Sequence, residues 1–205
     1  MLLSIDTSAG TSVAVVDREG GILSEHSESD TRRHAEVIGI LIQRALAGAG
    51  VAVTDLSGVA VGMGPGPFTG LRVGIAAARA FALGIGRPVV PVVSHDGVAF
   101  GQLERVLVVT DARRREVYWS AYSGTDEAGL PIRDSGPGLA SPGLLEREVP
   151  DFGHYRRVDA EVVSAGAIGM VAELLYANGR PFASGEALYL RSPDVTLSAG
   201  PKRVS

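Results

Sequence analysis

Three consecutive polar residues near the start of the chain, Asp6, Thr7 and Ser8, have side chains that could bind a metal ion or a phosphate. They follow the apolar segment LLSI, and a second strand-like segment begins at Thr11. A carboxylate and two hydroxyls in a turn between strands can hold a cation or hydrogen-bond to an anion. The same triplet is also typical of an Asx or Ser turn that does no chemistry. The residues alone leave both interpretations open.

A second candidate is the segment GPGPFTG at residues 64–70, which precedes a long apolar segment. It is not a P-loop, because that motif needs a lysine, and it is not G-x-G-x-x-G, because its third glycine comes one residue late. The N-terminal end of a helix attracts anions, so Gly64, Gly66, Thr69 and Gly70 are candidates for an anion or nucleotide site. The alternative is a rigid turn, since proline fixes φ and glycine allows close backbone approach.

The four histidines, His26, His34, His95 and His154, do not form a metal-binding motif. No two of them are spaced i, i+4, and neither H-E-x-x-H nor G-x-S-x-G occurs in the chain. Only His95, which Asp96 follows, lies at a predicted strand end. The chain has no cysteine, which excludes thiol nucleophiles, disulfides and cysteine metal sites. The histidines therefore predict no metal site and no Ser-His-Asp catalytic site.

The composition is that of an ordinary globular protein. The 205 residues are 45% apolar and 20% charged, and the net charge is −4. A negative net charge argues against strong RNA or DNA binding by the chain alone, and the Arg113–Arg115 run is interpreted as a solvated turn. We find no signal peptide and no stretch of about 18 uncharged apolar residues, so we expect a cytoplasmic chain that spans no membrane.

The first 100 residues alternate between strand-like and helix-like patterns in the order β-β-β-α-β-α-β. This order predicts a mixed α/β sheet that begins with three hairpin-connected strands and continues with parallel additions. The predicted strands are 2–6, 11–17, 22–29, 56–64 and 88–94, and the predicted helices are 31–47 and 69–84.

A second, smaller unit is predicted from residue 101 to the end of the chain, so that the first lobe is 1–100. It contains strands at 105–113 and 116–124 and a helix at 165–179. Residues 125–160 are rich in glycine, proline and acidic residues, so we expect loops and short strands there. Residues 187–196 are predicted to be extended and the tail 198–205 to be disordered.

The two helices of the first lobe have more apolar surface than packing on one sheet requires. In helix 31–47 the apolar residues spread over roughly 240° of the helical wheel, although a sheet-facing stripe of about 100° suffices. Between Leu71 and Leu83 the only polar side chains are Arg72 and Arg79. Either the two helices cover each other over a thick core, or together they face another protein, which is the interpretation we favour. The residues predicted to meet that partner are Val37, Ile38, Leu41, Leu71, Arg72, Ile75, Ala78, Arg79 and Ala82.

Five segments in order along the chain resemble the TsaB (YeaZ) family. They are LLSIDTS at the start, RRHAE at 32–36, GMGPGPFTGLRVGIAAARAFALG at 62–84, TDARRREVYWSAY at 110–122 and ALYLR at 187–191. The resemblance extends from residue 1 to about residue 191, and its most specific part is GPGPFTGLR.

The resemblance implies an actin-like ATPase (ASKHA, ribonuclease H-like) fold with two lobes, the second reduced. It also implies a non-catalytic scaffold for N6-threonylcarbamoylation of the adenosine next to the anticodon in tRNA. The catalytic subunit of such a complex is the paralogue TsaD, which binds ATP and a metal, so no cofactor is expected on this chain. The N-terminal helices would join TsaD, TsaE would bind the pair, and tRNA would be met only through the complex. A related surface can form homodimers.

One motif of the catalytic paralogue is incomplete here. TsaD carries H-x-x-x-H after its fifth strand, whereas this chain has His95 at the first position and Ala99 at the second. A single imidazole does not make a catalytic metal site. The alternative function is a stand-alone ATPase or phosphotransferase that uses Asp6, or a peptidase-like enzyme of the same superfamily. The scaffold hypothesis predicts that Ala78→Glu abolishes the complex and leaves the fold intact.

Overall fold

The first sheet begins as three hairpin-connected strands, as the apolar segments and their glycine turns predict. The computed structural model describes residues 1–191. Five strands and two long helices follow the predicted order β-β-β-α-β-α-β. Their bounds are β1 Leu2–Asp6, β2 Thr11–Asp17, β3 Gly21–Glu28, α1 His34–Ala49, β4 Gly58–Gly62, α2 Phe68–Ile85 and β5 Val89–Val92.

The strand order in this sheet is β3-β2-β1-β4-β5. The β1–β2 and β2–β3 pairs are antiparallel, and the β1–β4 and β4–β5 pairs are parallel, which confirms the predicted mixed α/β sheet. The carboxyl ends of parallel strands lie at one edge of a sheet. That edge therefore brings together Asp6 at the end of β1, Gly62 at the end of β4 and the residues that follow β5.

Helices cover both faces of the first sheet. The long helices α1 and α2 lie on one face, where their inner sides and the sheet form one apolar core. They end at Gly50 and Gly86, whose φ angles of 65° and 64° are left-handed. A later helix, α5 at Ala165–Ala177, covers the opposite face. Its N-terminus is capped by Ser164, whose hydroxyl accepts a hydrogen bond from Ala167 N at 3.0 Å.

The placement of α5 corrects the predicted division of the chain at residue 100. That prediction assigned residues 101–205 to the second lobe, but Ile168 and Val171 of α5 are buried in a core that they share with the first sheet. Residues 183 and 188 also hydrogen-bond to the backbone of Pro91 and Met63. Only about 60 residues after residue 100 therefore form the second unit, because the chain then returns to the first sheet. The predicted tail 198–205 and the end of the predicted extended segment lie outside the described residues.

The second unit is a four-stranded sheet in the order β8-β7-β6-β9. The predicted strands at 105–113 and 116–124 are confirmed, but the expectation of mainly loops at 125–160 is wrong because a ten-residue strand lies there. This edge strand contains glycine and proline, which are tolerated at a sheet edge and conceal the strand in the sequence. The bounds are β6 Val106–Asp111, β7 Val117–Thr125, β8 Pro131–Ala140, the short helix α4 Leu145–Glu148, and β9 Arg156–Asp159.

A six-residue helix that the sequence did not reveal, α3 at Ser94–Ala99, connects the two sheets. Its Asp96 accepts a hydrogen bond from the Tyr122 hydroxyl at 2.7 Å and forms an ion pair with Arg133 at 2.7 Å. Tyr122 and Arg133 belong to the second sheet, so these contacts fasten α3 to it. The Asp96 and Arg133 side chains are mostly buried, so removing either one would leave the other charge unpaired and away from water.

By length and composition, α2 is the one helix among residues 1–191 that could cross a membrane, with a mean hydropathy of 1.4 over 18 residues. In the structure it packs on the first sheet, and it carries Arg72 and Arg79. Core helices of globular proteins also meet the length and hydropathy criteria.

Candidate functional site

The carboxylate of Asp6 is fully buried at the edge of the first sheet where the parallel strands end. Its Oδ1 accepts hydrogen bonds from Ser8 N at 2.8 Å and Ser8 Oγ at 2.6 Å, and its Oδ2 accepts one from Ser94 Oγ at 2.6 Å. A Cβ at Gly62 would lie 1.7 Å from Oδ2, so only glycine fits beside it. Burial raises the pKa of Asp6, and the hydrogen bonds from Ser8 and Ser94 lower it by less. The carboxylate thus contacts the β1–β2 turn at Ser8, the start of α3 at Ser94 and the end of β4 at Gly62, and it is not exposed to solvent.

Thr7 is equally enclosed, and it fixes the start of α2. Its hydroxyl donates to Gly70 O at 2.7 Å and accepts from Gly74 N at 3.1 Å. A Cβ at Gly74 would lie 2.2 Å from Thr7 Oγ1, and one at Gly70 would lie 2.7 Å from Thr7 O. Asp6, Thr7 and Ser8 are all buried. The structure therefore favours the turn interpretation of these three residues over a nucleotide or anion site, since their polar atoms bind one another and α2.

The Gly-Pro loop packs directly on this cluster. Ser94 Oγ, which donates to Asp6, accepts a hydrogen bond from Gly64 N at 2.9 Å. Gly64 has a φ of 97°, and a Cβ at Gly66 would lie 2.8 Å from Ser8 Cα. The two glycines allow close approach, and the loop fixes the direction in which α2 leaves the sheet. Gly66 and Thr69 also line a cavity at the N-terminal end of α2.

His95, the histidine predicted to lie nearest a site, is fully buried in α3. Its Nδ1 is 2.8 Å from Ser120 Oγ and its Nε2 is 3.0 Å from Thr110 Oγ1. Burial lowers the pKa of His95 to about 3, so the ring is neutral at physiological pH. Both ring nitrogens have hydroxyl partners in the second sheet, so neither is directed at a ligand. Among residues 1–191, no three His, Cys, Asp or Glu side chains are grouped to hold a metal ion.

A cavity of about 250 Å³, below the usual size of a small-molecule site, lies between the two sheets. Three carboxylates and one guanidinium line it, those of Asp111, Asp159, Glu161 and Arg113. Val162 closes over the β1–β2 turn, where a Cβ at Gly10 would lie 2.8 Å from Val162 Cγ2. A nucleotide in this space would place its phosphates beside three carboxylates and a single arginine, which already lies 3.8 Å from Asp111. The residues present therefore do not fit an ATP and metal site like the one that the fold implies for the catalytic paralogue.

Most of the residues predicted to meet a partner lie instead in the core of this chain. Seven of the nine are at most 9% exposed and pack between the helices and the first sheet. The structure corrects the prediction for these seven, because a partner cannot reach them: Val37, Ile38, Leu41, Leu71, Ile75, Ala78 and Ala82. The expectation that Ala78→Glu leaves the fold intact is wrong for the same reason, since the new charge would be buried. Arg72 and Arg79 are the two that remain exposed.

The opposite sides of the same two helices are exposed and still apolar. Ile40 on α1 is 51% exposed and Leu83 on α2 is 84% exposed. The small residues Ala76 and Ala80 lie on the exposed side of α2. Because α1 and α2 lie on one face of the sheet and touch each other, their outer sides form one surface, which we call the outer helix face. The sequence did not show which side of α2 is exposed, because both sides are apolar.

The last described residues contact α2 beside the outer helix face. Tyr189 packs on Phe68 with ring centroids 4.8 Å apart, and Arg72 stacks on Phe68 at 3.7 Å. Arg79 donates to Gly185 O at 2.6 Å. Arg72 Nε also lies 3.4 Å from the Tyr189 hydroxyl, so both arginines predicted to contact a partner contact this chain's own C-terminal segment.

Comparison with known proteins supports one family across nearly the whole chain. Residues 6–131 match the family model of TsaD, tRNA N6-adenosine threonylcarbamoyltransferase. An uncharacterized protein of Mycobacterium tuberculosis is 38% identical over 201 residues, which cover 94% of this chain and 92% of that protein. The tRNA threonylcarbamoyladenosine biosynthesis protein TsaB of Escherichia coli K12 is 30% identical over 220 residues, which cover 93% of this chain and 94% of that protein.

Solved structures agree with these sequence relatives. YeaZ from Pseudomonas aeruginosa superposes with a TM-score of 0.72 at 26% identity and covers 92% of this chain and 99% of that one. A second Pseudomonas aeruginosa structure, described as similar to peptidase YEAZ, has a TM-score of 0.72 at 28% identity, with 93% and 99% covered. These likenesses confirm the general α/β fold that the resemblance implied. By its sequence over almost its full length and by its fold, the chain belongs to the TsaB (YeaZ) family.

Proposed function

We propose that this chain is a non-catalytic scaffold subunit that joins a TsaD-family enzyme through the outer helix face. The reaction it serves is N6-threonylcarbamoylation of the adenosine next to the anticodon in tRNA. Membership of the TsaB family and the match to the TsaD family model support this reaction. In the proposed complex ATP and metal belong to the TsaD subunit, TsaE binds the pair, and tRNA is met through the assembly in the cytoplasm. The same surface forms a homodimer when the chain is alone.

The exposed apolar surface of α1 and α2 is the observation that carries this proposal. A leucine that is 84% exposed and an isoleucine that is 51% exposed lie on neighbouring helices, with alanines between the arginines of α2. Alanines allow a partner helix to approach closely, and large side chains at the margins fill the grooves between helices. A stable interface of the usual size buries about 1,600 Å² in total. We expect the outer sides of two helices of 16 and 18 residues to provide only part of this chain's share of that area. The neighbouring C-terminal segment at Tyr189 would supply more.

The burial of Asp6 with its partners Ser8 and Ser94 supports a scaffold function over a catalytic one. Asp6 is the group that a stand-alone ATPase or phosphotransferase of this fold would use, and its carboxylate is fully occupied by Ser8 and Ser94. His95 is likewise occupied by two hydroxyls. These side chains hold loops and sheets in place, which is what a rigid docking subunit needs.

Substituting Leu83 by glutamate tests the outer helix face. Because Leu83 is 84% exposed, Leu83→Glu leaves the fold intact but places a charge where the partner would exclude water. We expect the variant to lose co-elution with the TsaD-family subunit of the same organism and the isolated chain to become monomeric. Leu103→Glu is the matched control, since Leu103 is 80% exposed and lies before β6, away from both helices.

Circular dichroism and thermal melting of both variants show whether the fold is retained. Loss of binding in Leu83→Glu alone supports the proposal. Unchanged co-elution of Leu83→Glu, or equal loss in both variants, refutes the assignment of the interface to this face. Robust ATP hydrolysis by the purified chain that Asp6→Asn removes would favour the stand-alone enzyme instead.

A further inference from the structure

A groove of about 550 Å³ lies between α2 and the C-terminal segment that packs beside it. The wall on α2 runs from Arg72 to Arg79, and residues 185–187 with Tyr189 form the opposite wall. Ala76, which lines the groove, is also one of the exposed residues of the outer helix face. The groove is therefore continuous with the surface that the proposed function assigns to a partner.

The two arginines of this groove have no carboxylate partner among the described residues. Arg79 donates to Gly185 O at 2.6 Å, whereas Arg72 stacks on the Phe68 ring at 3.7 Å with its Nε 3.4 Å from the Tyr189 hydroxyl. Both side chains are exposed. Because a guanidinium group carries five N–H donors, most donors of both arginines remain available to an incoming acceptor.

The C-terminal segment holds both guanidinium groups in place before a partner binds. An exposed arginine ordinarily samples many rotamers, and ordering it on association costs free energy. Here the aromatic stack restrains Arg72, and the backbone hydrogen bond restrains Arg79. The segment is itself fixed, because Leu188 N donates to Met63 O at 2.8 Å beside the first sheet. The two positive charges are therefore presented in defined positions.

The helices that form the outer helix face are positively charged, although the chain has a net charge of −4. Helix α2 carries Arg72, Arg79 and no acidic residue, and α1 carries Glu36 and Arg44, so their net charge is +2. Glu186 is the one carboxylate among the described residues that lines the groove, and no ion pair joins it to either arginine. Guanidinium groups thus outnumber carboxylates in the groove and on both helices.

Neither a second copy of this chain nor RNA matches this surface as well as an acidic protein does. In a two-fold dimer the same patch meets itself, so arginines approach arginines, and like charges across an interface oppose association. An RNA backbone offers phosphates but no apolar partner for the exposed Leu83 and Ile40. A protein that combines apolar side chains with carboxylates complements both properties.

We propose that this groove receives acidic side chains of the TsaD-family partner, which pair with Arg72 and Arg79 while the outer helix face covers the partner's apolar residues. The inference rests on the proposed function, because it names the chemistry of the partner at the same surface. Carboxylates there accept charge-assisted hydrogen bonds from guanidinium groups that this chain leaves without a carboxylate. The pairing speeds association and favours the heterocomplex over the homodimer.

Binding of the full chain to its TsaD-family subunit, measured by biolayer interferometry, tests the proposal with charge changes of opposite sign in one groove. We expect Arg79→Gln to weaken binding about tenfold, and Arg79→Lys, which keeps the charge, to weaken it only about twofold. Glu186→Gln removes a negative charge and should strengthen binding about twofold. The control is Arg147→Gln, which removes an exposed arginine on α4 in the second unit and should change nothing.

The salt dependence provides a second measurement, because salt screens attraction and repulsion alike. Raising the salt concentration should weaken the heterocomplex and strengthen the homodimer of the isolated chain. A role of Arg79 limited to holding the C-terminal segment predicts neither this opposite salt dependence nor the gain in Glu186→Gln.

Equal affinities for Arg79→Gln, Glu186→Gln and Arg147→Gln overturn the proposal, and so does weaker binding of Glu186→Gln. If Arg79→Gln lowers the tRNA affinity of the complex but leaves the association of the two proteins unchanged, the arginines bind RNA and the inference is wrong. Failure of the proposed function gives a different pattern, since Leu83→Glu then also leaves the association of the two proteins unchanged.

Discussion

At the level of single residues, burial decides what Asp6 and His95 do. Each has the side chain of a catalytic or ligand-binding group, and each has all its principal polar atoms bound to serine or threonine hydroxyls. The low pKa of His95, about 3, follows from desolvation first and from the nearby charge of Arg133 second. A neutral buried ring is suited to hold α3 against the second sheet, not to exchange protons.

The depressed pKa of His95 predicts a pH dependence of the free energy of unfolding. Between pH 6.5 and about 3 the unfolded chain binds a proton at this residue and the folded chain does not, so stability falls as pH drops through that range. We expect His95→Gln to remove this part of the pH dependence, with an overall loss of stability at pH 7 because the packing changes. Urea denaturation between pH 4 and pH 7, with His154→Gln at an exposed histidine as control, measures the difference. Parallel pH profiles for the unmodified chain and His95→Gln would contradict this account.

At the level of elements, small residues and a single threonine fix how α2 leaves the sheet. The Thr7 hydroxyl lies between Gly70 O and Gly74 N in the first turns of the helix. No side chain fits at Gly74, since a Cβ there would lie 2.2 Å from Thr7 Oγ1. The outer helix face is therefore held at a defined angle, which a docking surface requires.

Two glycine substitutions in the same helix should have opposite effects. Gly74→Ala forces α2 away from Thr7 and should cost about 1 to 3 kcal/mol of unfolding free energy. Gly84→Ala meets nothing within 4 Å and should stabilise the chain by about 0.5 kcal/mol, because alanine is the better helix former. Chemical denaturation of the two variants gives both values. A neutral Gly74→Ala would show that the contact with Thr7 does not position α2.

Periodicity and glycine stops were enough to predict every element of the first sheet, because its strands are continuous apolar segments and its helices end at Gly50 and Gly86. Two elements were missed for physical reasons. The helix α3 is only six residues long, too short for a helical period, and β8 contains glycine and proline at a sheet edge. The exposed side of α2 was also missed, since an almost uniformly apolar helix has no pattern that distinguishes its two faces.

At the level of the whole molecule, the chain returns to its first sheet after building the second. Helix α5 and the segment around Tyr189 pack on the first sheet and on α2, and α3 connects the two sheets through His95 and Asp96. The cavity between the sheets and the cavity at the N-terminal end of α2 depend on residues distant in sequence, such as Glu161 with Ser8 and Arg191 with Gly66. No local pattern could have revealed either cavity.

Reconstituted tRNA modification tests most directly whether this chain acts by holding a TsaD-family subunit through the outer helix face. The measurement is the rate of threonylcarbamoyladenosine formation by that subunit and TsaE with the unmodified chain, with Leu83→Glu, or with neither. A scaffold acts through occupancy, so we predict that Leu83→Glu is nearly inactive when limiting and regains activity as its concentration is raised. Full modification with limiting Leu83→Glu, or with this chain omitted, would contradict the claim.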